Sequence, residues 1–370
     1  MCAPNAFKGT LSARSAATAI ARGVRDAGAH PIEVPVADGG DGTLDVLLAA
    51  RGNAAKVTRH RVTGPLGHPL IARLGWLGPG EAVVELAEAS GLRRVHPRPL
   101  DALHATSRGT GELIRIALDA GARRILIGVG GSACTDGGSG MLQALGARLI
   151  DTHGVDIGPG GAGLEDLARI DLAGMHRGLV RCSIEVACDI RSTLLGPDGA
   201  AMMFAAQKGA TPNDIRRLDA ALAHLVDVAS AEYRGEGDSR LPGSGAAGGC
   251  GFGLALAGAR LVAGAALICD EVGLDEALPG AALVITGEGR LDSQTQTGKA
   301  PAEVAVRSRT AGVPCVAIGG SVVDRLPALF ARTWSLAAVD PDVDPRLHAR
   351  VLLRRVAREV LRDAPLRDAE

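Results

Sequence analysis

The chain of 370 residues is long enough for two lobes, each with its own hydrophobic core. Its 40 basic and 41 acidic residues nearly cancel, so no overall field favours nucleic acid or an anionic membrane, and we expect a small-molecule partner. The seven cysteines contain no C-x-x-C pair, and no apolar run is long enough to span a membrane, so we expect a cytoplasmic protein without a disulfide framework or a structural zinc site.

Apolar runs of strand length alternate with helical periods along the chain. Strands are predicted at residues 33–38, 56–64, 70–78, 82–89, 124–131, 183–189, 282–289 and 315–320. Several of these runs are continuous rather than alternating, which is typical of buried parallel strands. The first helix is predicted to begin after Ser12 as its N-cap and to stop at Gly28. The alternation indicates an α/β fold.

Residues 54–90 differ from their surroundings, because three short runs joined by glycine and proline turns leave no room for helices. We predict a hairpin meander there. The predicted architecture is therefore a Rossmann-like, doubly wound parallel sheet formed by residues 1–55 and 280–370, with an inserted mixed α/β domain formed by residues 56–279. In the tail, Leu347, Val351, Val356 and Val360 predict a surface helix that packs on the C-terminal lobe.

Three loops follow predicted strands and combine glycines, small hydroxyls and carboxylates: VADGGDGT (36–43), VGGSACTDGGSG (129–140) and ITGEGRLDSQT (285–295). Such loops line the ligand crevice at the carboxyl ends of parallel strands. Glycine N–H groups bind phosphate oxygens, and carboxylates hold the Mg²⁺ that neutralises them. Each loop alone could equally be an ordinary turn. Together they favour phosphoryl transfer.

Lysine is rare in this chain, and its positions support the same interpretation. Only Lys8, Lys56, Lys208 and Lys299 occur, and all except Lys56 stand beside a glycine, although chance could also produce this pattern. Gly298-Lys299 is not a standard P-loop, because the glycine five residues earlier and the hydroxyl after the lysine are both missing. We predict phosphate contacts for the three glycine-flanked lysines.

Twelve segments of the chain resemble, in order, the motifs of the bacterial glycerate kinase family, from Ala3 to about Ser321; they include APNAFKGTLSA, VADGGDGT, VGGSACTDGGSGMLQALG, FAAQKGAT and ITGEGRLDSQTQTGKAP. The resemblance implies Mg²⁺-dependent transfer of phosphate from ATP to D-glycerate, usually giving 2-phosphoglycerate and ADP, in glycerate, glyoxylate or sugar-acid catabolism. The alternatives are a glycerate 3-kinase, another small hydroxy-acid kinase, a metal-dependent phosphatase, and a nucleotide- or sugar-acid-sensing protein without turnover.

The resemblance also implies site residues. Contacts with substrate or phosphate are expected for Phe7, Gly9, Gly130, Gly131, Ser132, Asp136, Gly137, Gly138, Lys208, Gly287 and Lys299. Catalytic roles are expected for Lys8, Arg290, Asp189 and Asp292, with one of the two aspartates as the hydroxyl base and Arg290 on the glycerate carboxylate. Asp38 and Glu288 are expected near Mg²⁺.

The chain departs from the family pattern in two places near its start. Only Met1 and Cys2 precede Ala3, where family members usually have a longer apolar first strand. We therefore expect either that the natural start lies a few residues upstream or that the chain folds poorly. Asn5 stands where an aspartate is common, so a charge-dependent role at that position is in doubt.

Overall fold

The computed structural model describes residues 1–96, 99–233, 238–293, 295, 298–323, 326, 329–340 and 343–363. The chain divides into two compact units. Unit 1 consists of Met1–Asp38, Asp45–Gly52 and Ala265–Glu370, and unit 2 of Gly39–Leu44 and Asn53–Gly264. Domain boundaries near residues 55 and 280 stay a prediction.

The described chain contains strands and helices of very unequal length. The strands are β1 Cys2–Pro4, β2 Lys56–Thr63, β3 Pro69–Gly78, β4 Glu81–Glu85, β5 Arg124–Gly128, β6 Arg148–Ile150, β7 Arg169–Asp171, β8 Ser183–Cys188, β9 Arg260–Ala263, β10 Val284–Leu291, β11 Cys315–Val322 and β12 Arg332–Ser335. The helices are α1 Ala13–Asp26, α2 Thr43–Arg51, α3 Leu86–Ser90, α4 Arg108–Asp119, α5 Ser139–Ala144, α6 Gly160–Gly163, α7 Ala200–Phe204, α8 Pro212–Glu232, α9 Ala246–Leu256, α10 Gly264–Glu271, α11 Leu274–Ala277, α12 Ala300–Thr310, α13 Leu336–Val339 and α14 Pro345–Asp363. Within the described ranges, every helix is too short or too polar to cross a bilayer.

Unit 1 is built on a parallel four-stranded sheet in the order β1-β10-β11-β12. Successive side chains of a strand point to opposite faces, so neighbouring residues of β10 enter different cores. Val284 packs in the same cluster as Val304 of α12. Ile285 packs in another cluster with Ile20 of α1 and Val356 of α14. The sheet is therefore covered by helices on both faces, which confirms the predicted doubly wound α/β fold.

The first strand of unit 1 has three residues. Cys2 pairs with Ile285 of β10, and the amino group of Met1 is buried and donates a 2.7 Å hydrogen bond to the carbonyl of Leu283. Burial lowers the pKa of this amino group below its usual value. The strand thus contributes to the sheet with only a short run of apolar residues.

The two long helices α1 and α14 pack on one face of this sheet. Ser12 caps α1 by accepting the N–H of Ser15, and Gly28 follows the helix with φ of 82°, both as predicted. In α14, Val356 and Val360 are buried against α1 as predicted. Leu347 and Val351, which belong to the same predicted pattern, are instead 79% and 66% exposed. The buried face is instead Ala349, Leu352, Leu353, Val356, Ala357 and Val360.

Unit 2 contains a six-stranded mixed sheet in the order β2-β3-β4-β5-β8-β9 and a two-stranded sheet, β6-β7. Strands β2, β3 and β4 are antiparallel neighbours, which confirms the predicted meander. From β4 to β9 the pairs are parallel. The loops that follow β5 and β8 therefore leave the same edge of the sheet, and these loops carry predicted site residues.

Two of the predicted strands are corrected by the structure. Residues 33–38 run beside β1 without forming a strand, because Pro4 has no N–H to donate across the pair and the ladder is reduced to an isolated bridge between Cys2 and Glu33. The run predicted at 82–89 ends as a strand at Glu85 and continues as α3, whose leucine, alanine and glutamate residues favour helix.

Candidate active site

A pocket of about 950 Å³ lies in unit 1 at the carboxyl ends of its parallel strands. Seven of the predicted site residues line it: Phe7, Lys8, Asp38, Glu288, Arg290, Asp292 and Lys299. They come from three segments that are far apart in the sequence, FKG, ADGG and GEGRLD with its following GK. The parallel sheet brings these segments together because β1 and β10 are hydrogen-bonded neighbours.

Asn5 links the segments at this end of the sheet. Its backbone N–H donates to the carbonyl of Gly287 at 2.8 Å, and its side-chain oxygen accepts the N–H of Ala6 at 2.7 Å. The amide nitrogen of Asn5 donates to Asp38 Oδ2 at 3.3 Å. An ionised aspartate at position 5 has no such donor, so this asparagine supports the Asp38 carboxylate where an aspartate would repel it.

Glu288 is the buried carboxylate of the pocket, with 7% of its surface exposed. Thr295 Oγ1 donates to Glu288 Oε1 at 2.9 Å. Burial raises the pKa of Glu288, and the nearby Asp38 carboxylate raises it further, while Lys299, the Thr295 bond and Lys8 oppose this shift. The predicted cation ligands and phosphate lysines are therefore close enough to influence one another.

Arg290 and Asp292 form an ion pair at the rim of the same pocket, with 2.9 Å between Arg290 Nε and Asp292 Oδ2. The arginine side chain is 64% exposed and the aspartate side chain 17%. The N–H of Asp292 donates to Thr295 Oγ1 at 3.2 Å, so one threonine orients both acidic residues of the segment. A guanidinium group carries five N–H donors, so an arginine that pairs with one carboxylate can also meet a second one.

Lys299 is the N-cap residue of α12 and follows Gly298, whose φ of 93° requires glycine. The lysine thus stands where the first N–H groups of a helix point, a position that favours anions. Gln294, Gln296 and Thr297 of this segment lie outside the described residues. This arrangement differs from a P-loop, as the sequence predicted.

The remaining predicted site residues of unit 1, Phe7, Gly9 and Gly287, also have structural roles. Phe7 lines the pocket but is only 2% exposed and belongs to the hydrophobic core. Gly9 has φ of 75° in the turn after it. At Gly287 a Cβ would lie 2.1 Å from the carbonyl oxygen of Ile318, so glycine is needed where β10 and β11 meet.

In unit 2, the loop after β5 changes from accessible to buried along its length. Gly130 is partly exposed and Gly131 is exposed with φ of 72°. Ser132 is 7% exposed and all of its successors as far as residue 140 are buried. The φ of 72° favours glycine at 131, where a Cβ would also lie 2.5 Å from Asp41 Oδ1. The start of the loop is therefore its accessible part.

Asp136 lies in the buried part of this loop and is 0% exposed. Its Oδ2 accepts both the N–H and the hydroxyl of Ser107 at 2.8 Å, and its Oδ1 accepts the N–H of Gly138 at 3.1 Å. Added Cβ atoms would meet Leu225 Cδ2 at 2.3 Å from Gly137 and Gly253 Cα at 3.0 Å from Gly138. In the structure these three residues serve the packing of the loop, and their ligand role stays a prediction.

Lys208 is buried behind the same loop, with 2% of its surface exposed. Its ammonium group donates to Ser132 Oγ at 3.0 Å, to the carbonyl of Cys134 and to Thr135 Oγ1 at 3.4 Å. Burial lowers the pKa of Lys208 from its usual value, and the neighbouring Asp136 opposes this shift. The lysine thus binds the loop from inside, and the predicted phosphate contact is untested.

Asp189 directly follows β8, as the sequence predicted, and its side chain is 64% exposed. Its Oδ1 accepts the N–H of Arg191 at 3.0 Å and lies 3.7 Å from Arg191 Nε. An accessible carboxylate at a strand end can accept a proton from a bound hydroxyl. The structure places Asp189 in unit 2 and Asp292 in unit 1, so the two candidate bases belong to different units.

The donor set of unit 1 fits Mg²⁺. Mg²⁺ prefers oxygen ligands and is usually held by one or two carboxylates together with substrate phosphates. Asp38 and Glu288 supply two carboxylates in one pocket with two lysines. Among the described residues of unit 2, Cys134, Asp136 and Cys250 also bring donor atoms together, but they are buried and hydrogen-bonded, with 3.6 Å between the two sulfur atoms.

Sequence reasoning missed one wall of the unit 1 pocket. This wall consists of Gly320, Ser321, Leu336, Ala337, Pro345, Arg346 and Ala349. Most of it lies in the last fifty residues, which show no motif. Thr295 was missed as well, although it follows the predicted acids within the same segment. Small apolar residues give no chemical signal, so the wall could be found only from its position after β11 and β12.

An α/β protein that gathers lysines, carboxylates and a helix N-terminus at the carboxyl ends of parallel strands has the features of an enzyme acting on phosphorylated ligands. Comparison with known proteins identifies which one of these enzymes the chain resembles.

The glycerate kinase family model matches residues 1–364 of the chain. The glycerate kinase of Bacillus subtilis strain 168 is 43% identical over 367 residues, which cover 97% of this chain and 95% of the relative. The glycerate 2-kinase of Escherichia coli strain K12 is 45% identical over 351 residues, 91% of each chain. A crystal structure assigned as glycerate kinase 2 from Salmonella typhimurium LT2 has a TM-score of 0.83 at 43% identity and covers 97% of this chain and 96% of that chain. The chain belongs to the glycerate kinase family.

These comparisons confirm the resemblance inferred from the motifs and the prediction that the chain is a kinase. They give no support to the phosphatase or to the non-enzymatic sensor. The predicted roles of individual residues are not tested by them.

Proposed function

We propose that the protein transfers the γ-phosphoryl group of ATP to the 2-hydroxyl of D-glycerate, giving 2-phosphoglycerate and ADP. The observation that carries the proposal is the convergence of Lys8, Lys299, Asp38 and Glu288 on one pocket at the strand ends of unit 1. The 2-position is supported by the Escherichia coli relative named glycerate 2-kinase. Because the substrates are small metabolites, we also propose a cytoplasmic enzyme of glycerate, glyoxylate or sugar-acid catabolism.

The chain supplies positive charge where the transferred phosphoryl group would lie. Lys8 and Lys299 both line the pocket, and their ammonium groups would neutralise the negative charge of the phosphate oxygens. The N-terminus of α12, which is the positive end of the helix dipole, lies next to Lys299. Phe7 and Gly9 hold Lys8 at the pocket edge, because the phenyl ring is anchored in the core and the glycine permits the turn.

Mg²⁺ would be held by Asp38 and Glu288 and would supply charge neutralisation for the ATP phosphates. Asn5 orients Asp38, and Thr295 orients Glu288, through the hydrogen bonds described above. A cation bound together with ATP would balance the charge of the buried Glu288.

The acceptor acid requires a cation for its carboxylate and a base for its hydroxyl. Arg290, which lines the same pocket, would bind the glycerate carboxylate with its guanidinium N–H groups. Asp292 or Asp189 would accept the hydroxyl proton. Gly130 and Gly131 offer accessible backbone at the start of their loop. Ser132, Asp136, Gly137, Gly138 and Lys208 are buried and would keep this loop in shape.

The proposal is tested by ³¹P NMR of the purified protein with ATP, Mg²⁺ and D-glycerate. A 2-phosphoglycerate resonance that depends on glycerate supports both the reaction and the position. A 3-phosphoglycerate resonance would support glycerate kinase activity but would reject phosphorylation of the 2-hydroxyl. Release of inorganic phosphate without a phosphorylated acid would reject glycerate phosphorylation.

A further inference from the structure

The pocket of unit 1 has two chemically different ends. At one end, Lys8 follows β1, Asp38 lies in the loop before α2, and Glu288, Asp292 and Lys299 lie between β10 and α12. The other end is formed by α13, which directly follows β12, and by the first turns of α14. This end presents Leu336, Ala337, Pro345 and Ala349, together with Arg346.

Two residues of the apolar end are anchored in the hydrophobic core. Leu336 is 1% exposed and Ala349 3% exposed, and both belong to the hydrophobic core beneath the pocket. Ala337 is exposed and therefore forms the accessible surface above them. Arg346 is exposed at the same end, and the face of a guanidinium group can lie against an aromatic ring. An apolar surface with an adjacent arginine suits a heteroaromatic base.

The length of the pocket fits a nucleotide. It runs along the sheet edge from β1 to β12, across three spacings between neighbouring strands. With about 4.8 Å for each spacing, this is a span of ~14 Å. An extended nucleoside triphosphate has a comparable length, whereas D-glycerate is far shorter and carries a polar group on every carbon. The small acid would thus leave the apolar end unused.

We propose that the apolar end is a base-binding subsite, so that the nucleotide lies along the strand ends with its adenine between α13 and α14 and its terminal phosphates at Lys8 and Lys299. This orientation rests on the proposed function, because it takes ATP as the phosphoryl donor. It makes Ala337 a residue that determines affinity for the nucleoside part, with no role toward the transferred phosphoryl group.

The test compares two neighbouring alanines of α13. Ala337 and Ala338 are both exposed, but only Ala337 is among the pocket residues. Ala337→Phe should fill the base subsite and raise the KM for ATP by about tenfold or more. The KM for D-glycerate and the inhibition constant of inorganic tripolyphosphate, which has no base, should stay within about twofold. Ala338→Phe, the matched control, should change none of these constants.

Two results would overturn the subsite. One is an unchanged KM for ATP in Ala337→Phe; the other is an equal loss of affinity for ATP and tripolyphosphate, which would mean that the substitution disturbs the whole pocket. Ala337→Val provides a smaller change if the phenylalanine variant does not fold, and it should raise the KM for ATP by about threefold.

Failure of the proposed function can be distinguished from failure of the base subsite. If the wild-type protein did not phosphorylate D-glycerate, calorimetry with ADP and tripolyphosphate would still test the subsite. Tighter binding of ADP than of tripolyphosphate in the wild-type protein, lost in Ala337→Phe and kept in Ala338→Phe, would support the base subsite alone. Equal binding of the two ligands to the wild-type protein would reject it.

Discussion

The N–H of Gly130 donates a 2.9 Å hydrogen bond to the carbonyl oxygen of Gly39, so two glycine-rich loops of unit 2 lie backbone against backbone. A Cβ on Gly130 would lie 2.4 Å from the Cα of Gly40, and a Cβ on Gly39 would lie 2.2 Å from the carbonyl oxygen of Ala187. Several glycines of these loops are therefore required by the packing of the loops on one another and on β8, whatever ligand they meet.

Gly39 and Gly42, both in the loop of residues 36–43, distinguish the energetic cost of close packing from the cost of backbone strain. Gly39 and Gly42 have φ of 90° and 95°, but a Cβ on Gly42 would meet nothing within 4 Å. Gly42→Ala should lower the free energy of unfolding by about 1 kcal/mol from strain alone. Gly39→Ala should cost about 3 kcal/mol or more, because the backbone of Ala187 must also move. Urea unfolding of both variants measures the difference, and equal losses would contradict the close packing.

The glycine loops also show how far the sequence determines the site. The strand ends at β5 and β10 could be predicted, because an apolar run followed by glycines, small hydroxyls and carboxylates is a local pattern. The burial of Asp136 and Lys208 could not, because it depends on side chains such as Ser107 that are distant in sequence and unremarkable in type. Strands of three or four residues, such as β6 and β12, are too short to show periodicity and were missed.

Glu288→Gln is expected to stabilise the protein and to reduce its activity. Burial raises the pKa of Glu288, so the folded state binds its proton more tightly than the unfolded state does. The contribution of Glu288 to the free energy of unfolding is favourable below its usual pKa of 4.5 and is lost as pH rises through the raised pKa. The melting temperature of Glu288→Gln should therefore exceed that of the wild-type protein at neutral pH, and the difference should disappear in acid.

The activity of Glu288→Gln tests the proposed cation ligand. We expect kcat/KM to fall about 100-fold, equivalent to ~2.7 kcal/mol, and the Mg²⁺ concentration for half-maximal rate to rise. When kcat/KM of the wild-type protein is plotted against pH, the fall on the acidic side should have its midpoint above 4.5. This fall should be absent from the variant. An unaltered Mg²⁺ requirement would remove Glu288 from the metal site.

Lys299→Ala tests the phosphate contact at the N-terminus of α12. We expect kcat/KM for ATP to fall by about tenfold or more, because Lys299 lines the pocket in which we propose that the ATP phosphates bind. Lys56→Ala is the matched control, since Lys56 is exposed on β2 in unit 2. If Lys299→Ala stayed within about twofold of the wild-type value, a loss of less than ~0.5 kcal/mol, the contact would be rejected.

Lys208→Met should lower the free energy of unfolding. The substitution leaves the carbonyl of Cys134 and the hydroxyl of Ser132 without their buried donor, so we expect a loss of about 2 kcal/mol in the free energy of unfolding. Burial lowers the pKa of Lys208, so the stability linked to its titration is present above 10.5 and is lost as pH falls through the lowered value. The advantage of the wild-type protein should therefore grow from pH 7 toward pH 10, and a loss no larger than that of Lys56→Met would contradict this role.

The two candidate bases can be distinguished because they differ in their surroundings. Asp292 lines the same pocket as Lys8 and Lys299, whereas Asp189 is exposed after β8. We therefore expect Asp292→Asn to lower kcat by about 100-fold with little change in the KM for ATP, and Asp189→Asn to lower it by less than about tenfold. Rates measured at saturating ATP and glycerate decide between them.

Arg290→Ala completes this comparison, because Asp292 also holds the Arg290 guanidinium at 2.9 Å. Loss of the arginine should mainly raise the KM for glycerate, since it removes the partner of the substrate carboxylate. If Asp292→Asn reproduced that pattern, with kcat preserved, Asp292 would only position Arg290. A large fall in kcat for Asp189→Asn would then assign the base to unit 2.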